Sequence, residues 1–180
     1  REANPQLLRQ SVREYDVFIT EFPRSKAIPY ALVRKGRALQ RDGKRFEAIK
    51  AYREVMDYFP NDIQYAAPAL YYIGLAHWEN SDEGEAMKAW AEMAEDADYR
   101  QHELAADAVY RLAKFLEGQG EKRKALKYFR QIAVDFRQKN RQASNQARDA
   151  AVPYYLRGND EPALRQFYVD CGTFGYHFRR

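Results

Sequence analysis

Four alanines recur along the chain at nearly constant spacing: Ala48, Ala86, Ala125 and Ala163, separated by 38, 39 and 38 residues. Each is followed four residues later by a ring: Tyr52, Trp90, Phe129 and Phe167. Each is preceded twelve residues earlier by a tiny residue: Gly36, Gly74, Ala113 and Ala151. A repeat period between roughly 20 and 50 residues means one supersecondary unit used again and again, and it constrains the fold more than any single element does. Inside the first period the spacing is helical. Leu32, Gly36 and Leu39 mark one apolar face, Ala48, Tyr52 and Val55 mark a second, and Asp42-Gly43-Lys44 lies between them. Small residues let two helices approach closely, and the ring fills the space beside them.

Periodicity and breakers predict helices near 6–21, 27–41, 45–58, 67–80, 83–97, 102–117, 122–136, 142–157 and 161–170. Pro29, Pro68 and Pro162 are expected in first turns, where a missing N–H costs little. Pro153 is expected to kink its helix. Phe59-Pro60 should end the helix before it, and Asn61 and Asp62 should supply turn or cap hydrogen bonds. Gly43, Gly120 and Gly158 stand five residues before their alanines; the second unit has Ser81 there and a shifted Gly84. Tyr15, Phe18, Phe22 and Pro23 match Tyr52, Val55, Phe59 and Pro60, so the N-terminus reads as half a unit. The expected organisation is one solenoid over 1–180: a half repeat at 1–23, repeats near 27–60, 66–98, 102–137 and 142–171, and a tail at 172–180. The chain begins with Arg1 rather than Met, which suggests a processed or excised segment.

These residues resemble the tetratricopeptide repeat family. The resemblance implies an all-α, right-handed α-solenoid of helical hairpins whose first helices line a concave groove. The linkers "FITEFPRSKAIPYALVRKG" and "VMDYFPNDIQYAAPALYYIG" narrow it to the long-repeat type of bacterial envelope proteins such as BamD and CpoB. That likeness favours a periplasmic or envelope-associated location, with the cytoplasm left open. The period exceeds the family's usual length, and Asp98 and Arg137 replace a frequent proline.

By that resemblance the groove residues are Tyr30, Val33, Arg34, Arg37, Gln40 and Arg41; then Pro68, Tyr71, Tyr72, Leu75, Trp78 and Glu79. From the third unit come Asp107, Tyr110, Arg111, Lys114, Glu117 and Gly118, and from the fourth Arg148, Val152 and Tyr155. Aromatic rings give contact area at low entropy cost, and arginines clamp carboxylates. The expected binding set is therefore Tyr30, Arg34, Arg37, Arg41, Tyr71, Tyr72, Trp78, Tyr110, Arg111, Lys114 and Tyr155, with a protein or peptide as partner. Any one of the tyrosines is as readily read as packing between repeats. Of the carboxylate-clamp positions, Arg37 and Arg111 match in type, whereas Val33, Tyr72 and Asp107 do not. Recognition of a chaperone's acidic tail is therefore not expected.

Other functions find less support. His77 reads as a core histidine, and His102 and His177 have no partner at metal-ligand spacing. Glu92, Glu95 and Asp96 read as a solvated helix face. Cys171, the only cysteine, permits no internal disulfide. There is no phosphate loop, zinc signature or nucleophile motif, and Gly118-Gln119-Gly120 reads as a turn. Catalytic residues, metals and cofactors are therefore not expected, although a non-catalytic arm of a larger enzyme stays open. No run of about 18 apolar residues suggests a membrane span.

Charge is blocked along the chain. From Arg24 to Arg53 ten bases face two acids, from Glu79 to Asp107 ten acids face two bases, and from Arg111 to Arg148 eleven bases face three acids. Solvated faces attracting across repeat interfaces are the favoured reading. RNA binding through Tyr110, Arg111, Lys114 and Tyr128 is the alternative, and the acidic block argues against it. Leu7, Leu8, Val12 and Tyr15 form an apolar end that another chain's end could cover in a homo-oligomer, and the oligomeric state is left open. The tail, Cys171 to Phe178, is read as a cap on the last repeat; an exposed docking segment or a further repeat are the alternatives.

Overall fold

The computed structural model describes residues 4–172. Its chain forms two compact units, residues 1–104 and 105–180. Unit 1 contains α1 (Pro5–Glu21), α2 (Ile28–Arg41), α3 (Arg45–Tyr58), α4 (Ile63–Glu79), α5 (Glu83–Glu95) and a short 3₁₀ turn (Tyr99–Gln101). Unit 2 contains α6 (Ala105–Gly118), α7 (Lys122–Asp135), α8 (Arg141–Arg157) and α9 (Glu161–Asp170). No strand occurs among the described residues. The fold class is all-α, of the helical-hairpin solenoid kind. Within each unit consecutive helices pack in antiparallel order, and in unit 1 α2 also touches α4.

One turn is used four times. After α2, Gly43 N–H donates to the Gln40 carbonyl (3.1 Å) and Lys44 N–H to the Leu39 carbonyl (2.9 Å). Ser81 and Asp82 repeat this after α4, Gly120 and Glu121 after α6, and Asn159 and Asp160 after α8. The bonds satisfy carbonyls that a helix end leaves open, and they need a left-handed residue just past the helix. Those residues are Gly43 (φ +80°), Ser81 (+60°), Gly120 (+78°) and Asn159 (+50°). The last corrects the sequence alignment. Gly158 is right-handed (φ −80°), and the turn falls one residue later, at an asparagine, a side chain that tolerates this conformation.

Two other boundaries differ from expectation. α4 starts at Ile63 because the Asp62 carbonyl already accepts from Tyr65 (2.9 Å) and Ala66 (2.8 Å). Pro68 is thus inside the helix rather than in its first turn. α6 starts at Ala105 rather than near 102. Upstream of it, the Asp96 carboxylate accepts the N–H groups of Asp98 and Tyr99, both at 2.9 Å, and folds that stretch into the 3₁₀ turn. Tyr99 then buries its ring and donates its hydroxyl to the Pro60 carbonyl (3.1 Å). α8 runs through Pro153 without interruption.

The core follows the repeat register. Tyr52, Trp90, Phe129 and Phe167 are fully buried, as are Ala48, Ala86, Ala125, Ala113 and Ala151. A methyl group added at Gly36 would strike the Tyr52 ring, and one at Gly74 would strike the Trp90 indole. The glycines are there because the rings are. On α1, Leu7 and Val17 are exposed, whereas Leu8, Val12 and Tyr15 are half-buried, so the expected apolar end is already partly covered. Of the tail, only Cys171 and Gly172 fall within the described residues, and the cap reading lies outside them.

Candidate functional site

In unit 1, three side-chain links cross the seam between α2 and α4. Tyr30 meets Tyr65 edge to face, with centroids 6.2 Å apart. Arg37 lays its guanidinium over the Tyr72 ring, 4.4 Å from the centroid, and donates through Nη1 to the Tyr72 hydroxyl. Gln40 Nε2 donates to Glu79 (3.0 Å), while Gln40 Oε1 accepts from the Tyr52 hydroxyl (3.0 Å). Tyr30, Arg37 and Gln40 are separated by about two turns and then about one turn of α2, which is why one face of that helix carries all of them. The strip they build is open to solvent: Tyr30 is 45% exposed and Trp78 39%, and Arg34, Arg37 and Arg41 are exposed too.

The strip is positively charged and held in place from below. Tyr72 stacks on buried Tyr52 at 5.7 Å. Arg34 sits 5.8 Å from the Tyr30 ring centroid, and a hydrogen bond with Tyr15 keeps its guanidinium above its ordinary range. Burial pushes the Tyr52 hydroxyl far up, so it serves as a neutral donor to Gln40. Arginine over an aromatic face is favourable by about 0.5–1 kcal/mol at exposed sites, and it fixes a cation that otherwise has many rotamers. Trp78 leans on Trp90 with centroids 6.0 Å apart. A partner arriving here meets a row of cations and rings already oriented.

Tyr71 stands apart from that strip. It is only 7% exposed, packs edge-on against Tyr72 at 5.1 Å, and its carbonyl accepts the Trp90 indole N–H at 3.3 Å. Its position one residue before Tyr72 turns it into the core, because neighbouring residues on a helix do not share a face. Val33 is buried as well.

Unit 2 treats its predicted residues differently. Tyr110 is half-buried and edge-on to Phe129 at 5.7 Å. Arg111 Nε is 2.6 Å from Asp107. Lys114 pairs with Glu117. Tyr155 is 6% exposed and stacks on Phe167 at 5.3 Å, so it belongs to the core. Its neighbour Tyr154, which the sequence did not single out, takes the polar role by donating to Glu117 (2.6 Å). Hydrogen bonds from Lys114 and Tyr154 hold the Glu117 carboxyl below its ordinary range. Burial and that same bond push the Tyr154 hydroxyl up to about 12. In unit 1, Tyr65 was likewise missed. The predicted helix start left it outside α4.

His77 and His102 each make a side-chain contact within unit 1. His77 Nδ1 lies 3.1 Å from Asp82, the residue whose side chain caps α5. His102 Nδ1 accepts the Leu104 N–H at 3.2 Å, and burial lowers its pKa, both consistent with a neutral ring. Burial raises the Glu92 carboxyl, and Asp96 adds to that shift. Burial also pushes the Cys171 thiol up to about 11, away from nucleophilic character. Among the described residues, no three His, Cys, Asp or Glu side chains cluster to hold a metal ion, and no helix is long and apolar enough to cross a membrane.

The family model of the tetratricopeptide repeat matches residues 30–62 and 107–138. The first match spans α2, the turn and α3; the second runs from α6 through α7. These matches agree with the all-helical hairpin fold, and the tetratricopeptide repeat they resemble generally mediates protein–protein interaction. No curated protein matches the chain.

Proposed function

We propose that the chain is a non-catalytic interaction scaffold that holds an extended peptide or protein segment against the α2–α4 strip of unit 1. The observation that carries this reading is the Arg37 guanidinium seated over Tyr72, at the seam between two adjacent repeats. Exposed Tyr30, Arg34, Arg41 and Trp78 flank it on the same two helices. Tyr30, Arg34, Arg37, Tyr72 and Trp78, each held by a side-chain contact, favour a partner with carboxylates spaced between apolar or aromatic side chains. Tyr110, Arg111 and Lys114 are a second contact set on unit 2, weaker because Arg111 and Lys114 already carry acidic partners.

The finer setting is a larger bacterial assembly. Its support is the 38- to 39-residue period and the aromatic–proline linkers Phe22-Pro23 and Phe59-Pro60, features that resemble long-repeat envelope proteins. Affinity capture from extract of the source organism tests the function, with and without nuclease. Wild type runs beside Arg37→Glu, whose fold is checked by circular dichroism. A protein retained by wild type, lost by the variant and indifferent to nuclease supports the scaffold. Nucleic acid in its place, with proteins lost on nuclease treatment, overturns it in favour of RNA binding.

A further inference from the structure

Unit 2 holds a basic cleft that the proposed interaction strip does not use. It lies where α7 and α9 end and α8 begins, has a volume of about 470 Å³, and is lined by Arg137, Arg141 and Arg148 with the amides of Gln138 and Asn145. Among the described residues no carboxylate lines it. Of the neighbouring acids, Asp170 is engaged outside the cleft and Asp149 is engaged by a cleft arginine. Asp170 takes Arg130 (3.4 Å) and Gln166 (2.8 Å) on its carboxylate, and Asp149 takes Arg148 (2.9 Å).

Arg148 is thus paired with Asp149 and also donates to the Asn145 side-chain oxygen (3.0 Å), and the charge left over at the cleft is that of Arg137 and Arg141. Arg137 donates to the Asp170 backbone carbonyl (2.8 Å), a neutral acceptor that leaves its positive charge uncompensated. Arg141 is exposed and has no hydrogen bond or ion pair among the described residues. The floor is rigid: Ser144 is buried and donates its hydroxyl to the Ala133 carbonyl (2.6 Å), pinning the start of α8 to α7. Two uncompensated guanidiniums, Arg137 and Arg141, with the Gln138 and Asn145 amides beside them, match an anion that accepts several hydrogen bonds at once, which a tetrahedral phosphoryl group does better than a single planar carboxylate. The cleft also falls in the size class of small-molecule sites, about 300–1,000 Å³.

We infer that this cleft binds a phosphoryl-bearing anion, a diphosphate or a phosphoryl group carried on a larger molecule. The inference is independent of the scaffold reading, since it uses no residue of the α2–α4 strip.

Inorganic pyrophosphate titrated into the full chain at low ionic strength tests it, followed by NMR at the backbone amides and arginine Nε groups. The expected result is saturable one-site binding, with shifts confined to the cleft. Arg141→Glu should weaken it at least about tenfold, and Arg37→Glu should leave it unchanged. Arg141→Glu breaks no internal bond, and Arg141→Lys, which keeps the charge but loses the fork, should fall between the two. Equal affinity in wild type and Arg141→Glu overturns the site, as do shifts spread over all basic residues in proportion to ionic strength. Citrate binding as tightly as pyrophosphate overturns the phosphoryl selectivity. A phosphoserine peptide serves as a second arm: binding tighter than pyrophosphate identifies a modified protein as the carrier, and binding weaker identifies a free phosphate compound.

Discussion

Gly74 on α4 lies face to face with Trp90 on α5: a Cβ built on the glycine would stand 2.6 Å from the indole Cδ1. Gly36 and Tyr52 repeat the relationship one unit earlier, with 2.7 Å to the ring Cδ1. Trp90 is fully buried, so it has nowhere to retreat. Gly74→Ala is expected to cost about 1–3 kcal/mol through overpacking, and Trp90→Ala about 3–5 kcal/mol through the cavity it leaves. Gly84→Ala, with no atom within 4 Å of the new Cβ, should be neutral or better. Thermal melts of the three variants check this.

Ser81 adopts a left-handed backbone at a position where Gly43 and Gly120 do the same work. A side chain there costs about 1–2 kcal/mol relative to glycine, partly offset by glycine's greater freedom when unfolded. Ser81→Gly should therefore stabilise the protein by about 0.5–1 kcal/mol. Gly43→Ala should destabilise it by a similar amount or more. Denaturation midpoints at constant m-value are the measurement.

The contact of Glu117 with Lys114 and Tyr154 predicts a pH window for unit 2. Glu117 titrates below its ordinary value of 4.5, so its contribution is present above that pH and is lost as pH falls through the depressed folded value. Tyr154 titrates above its ordinary 10.0, at about 12, so its contribution is present below pH 10 and is lost as pH rises toward 12. Tyr154→Phe should flatten the alkaline limb and soften the acid one. Helical ellipticity followed across both limbs reads the change.

Cys171 is buried and its thiol is held up to about 11. Native protein at pH 8 should react with a thiol reagent far more slowly than denatured protein, and at a rate that follows opening of the structure. Absorbance of the released chromophore gives both rates. Reaction as fast as that of free cysteine would contradict the burial.

The repeat register was legible in the sequence through the first three units, because it rests on volume; in the fourth the turn falls one residue later, at Asn159. A tiny residue must face a ring, and Gly36/Tyr52, Gly74/Trp90, Ala113/Phe129 and Ala151/Phe167 state that requirement four times. Boundaries set by single hydrogen bonds were less so. The Asp62 carbonyl and the Asp96 carboxylate decide where α4 starts and where the 3₁₀ turn forms, and neither leaves a periodic trace. The candidate site was legible as a set of residue types but not tyrosine by tyrosine. Tyr71 and Tyr72 are adjacent, as are Tyr154 and Tyr155. In each pair the choice of core or surface is a rotation of about 100° about the helix axis. Composition carries no information about that angle. Tyr72 and Tyr154 face outward to polar partners, while Tyr71 and Tyr155 pack inward.

The most direct test of the scaffold is a peptide selected on wild-type protein from a random library and then titrated by NMR. The account predicts amide shifts that follow Tyr30, Arg34, Arg37, Tyr72 and Trp78 along α2 and α4, and affinity at least about tenfold lower, or 1.4 kcal/mol, in Arg37→Glu. Shifts centred on another surface, with Arg37→Glu binding as tightly as wild type, would contradict it.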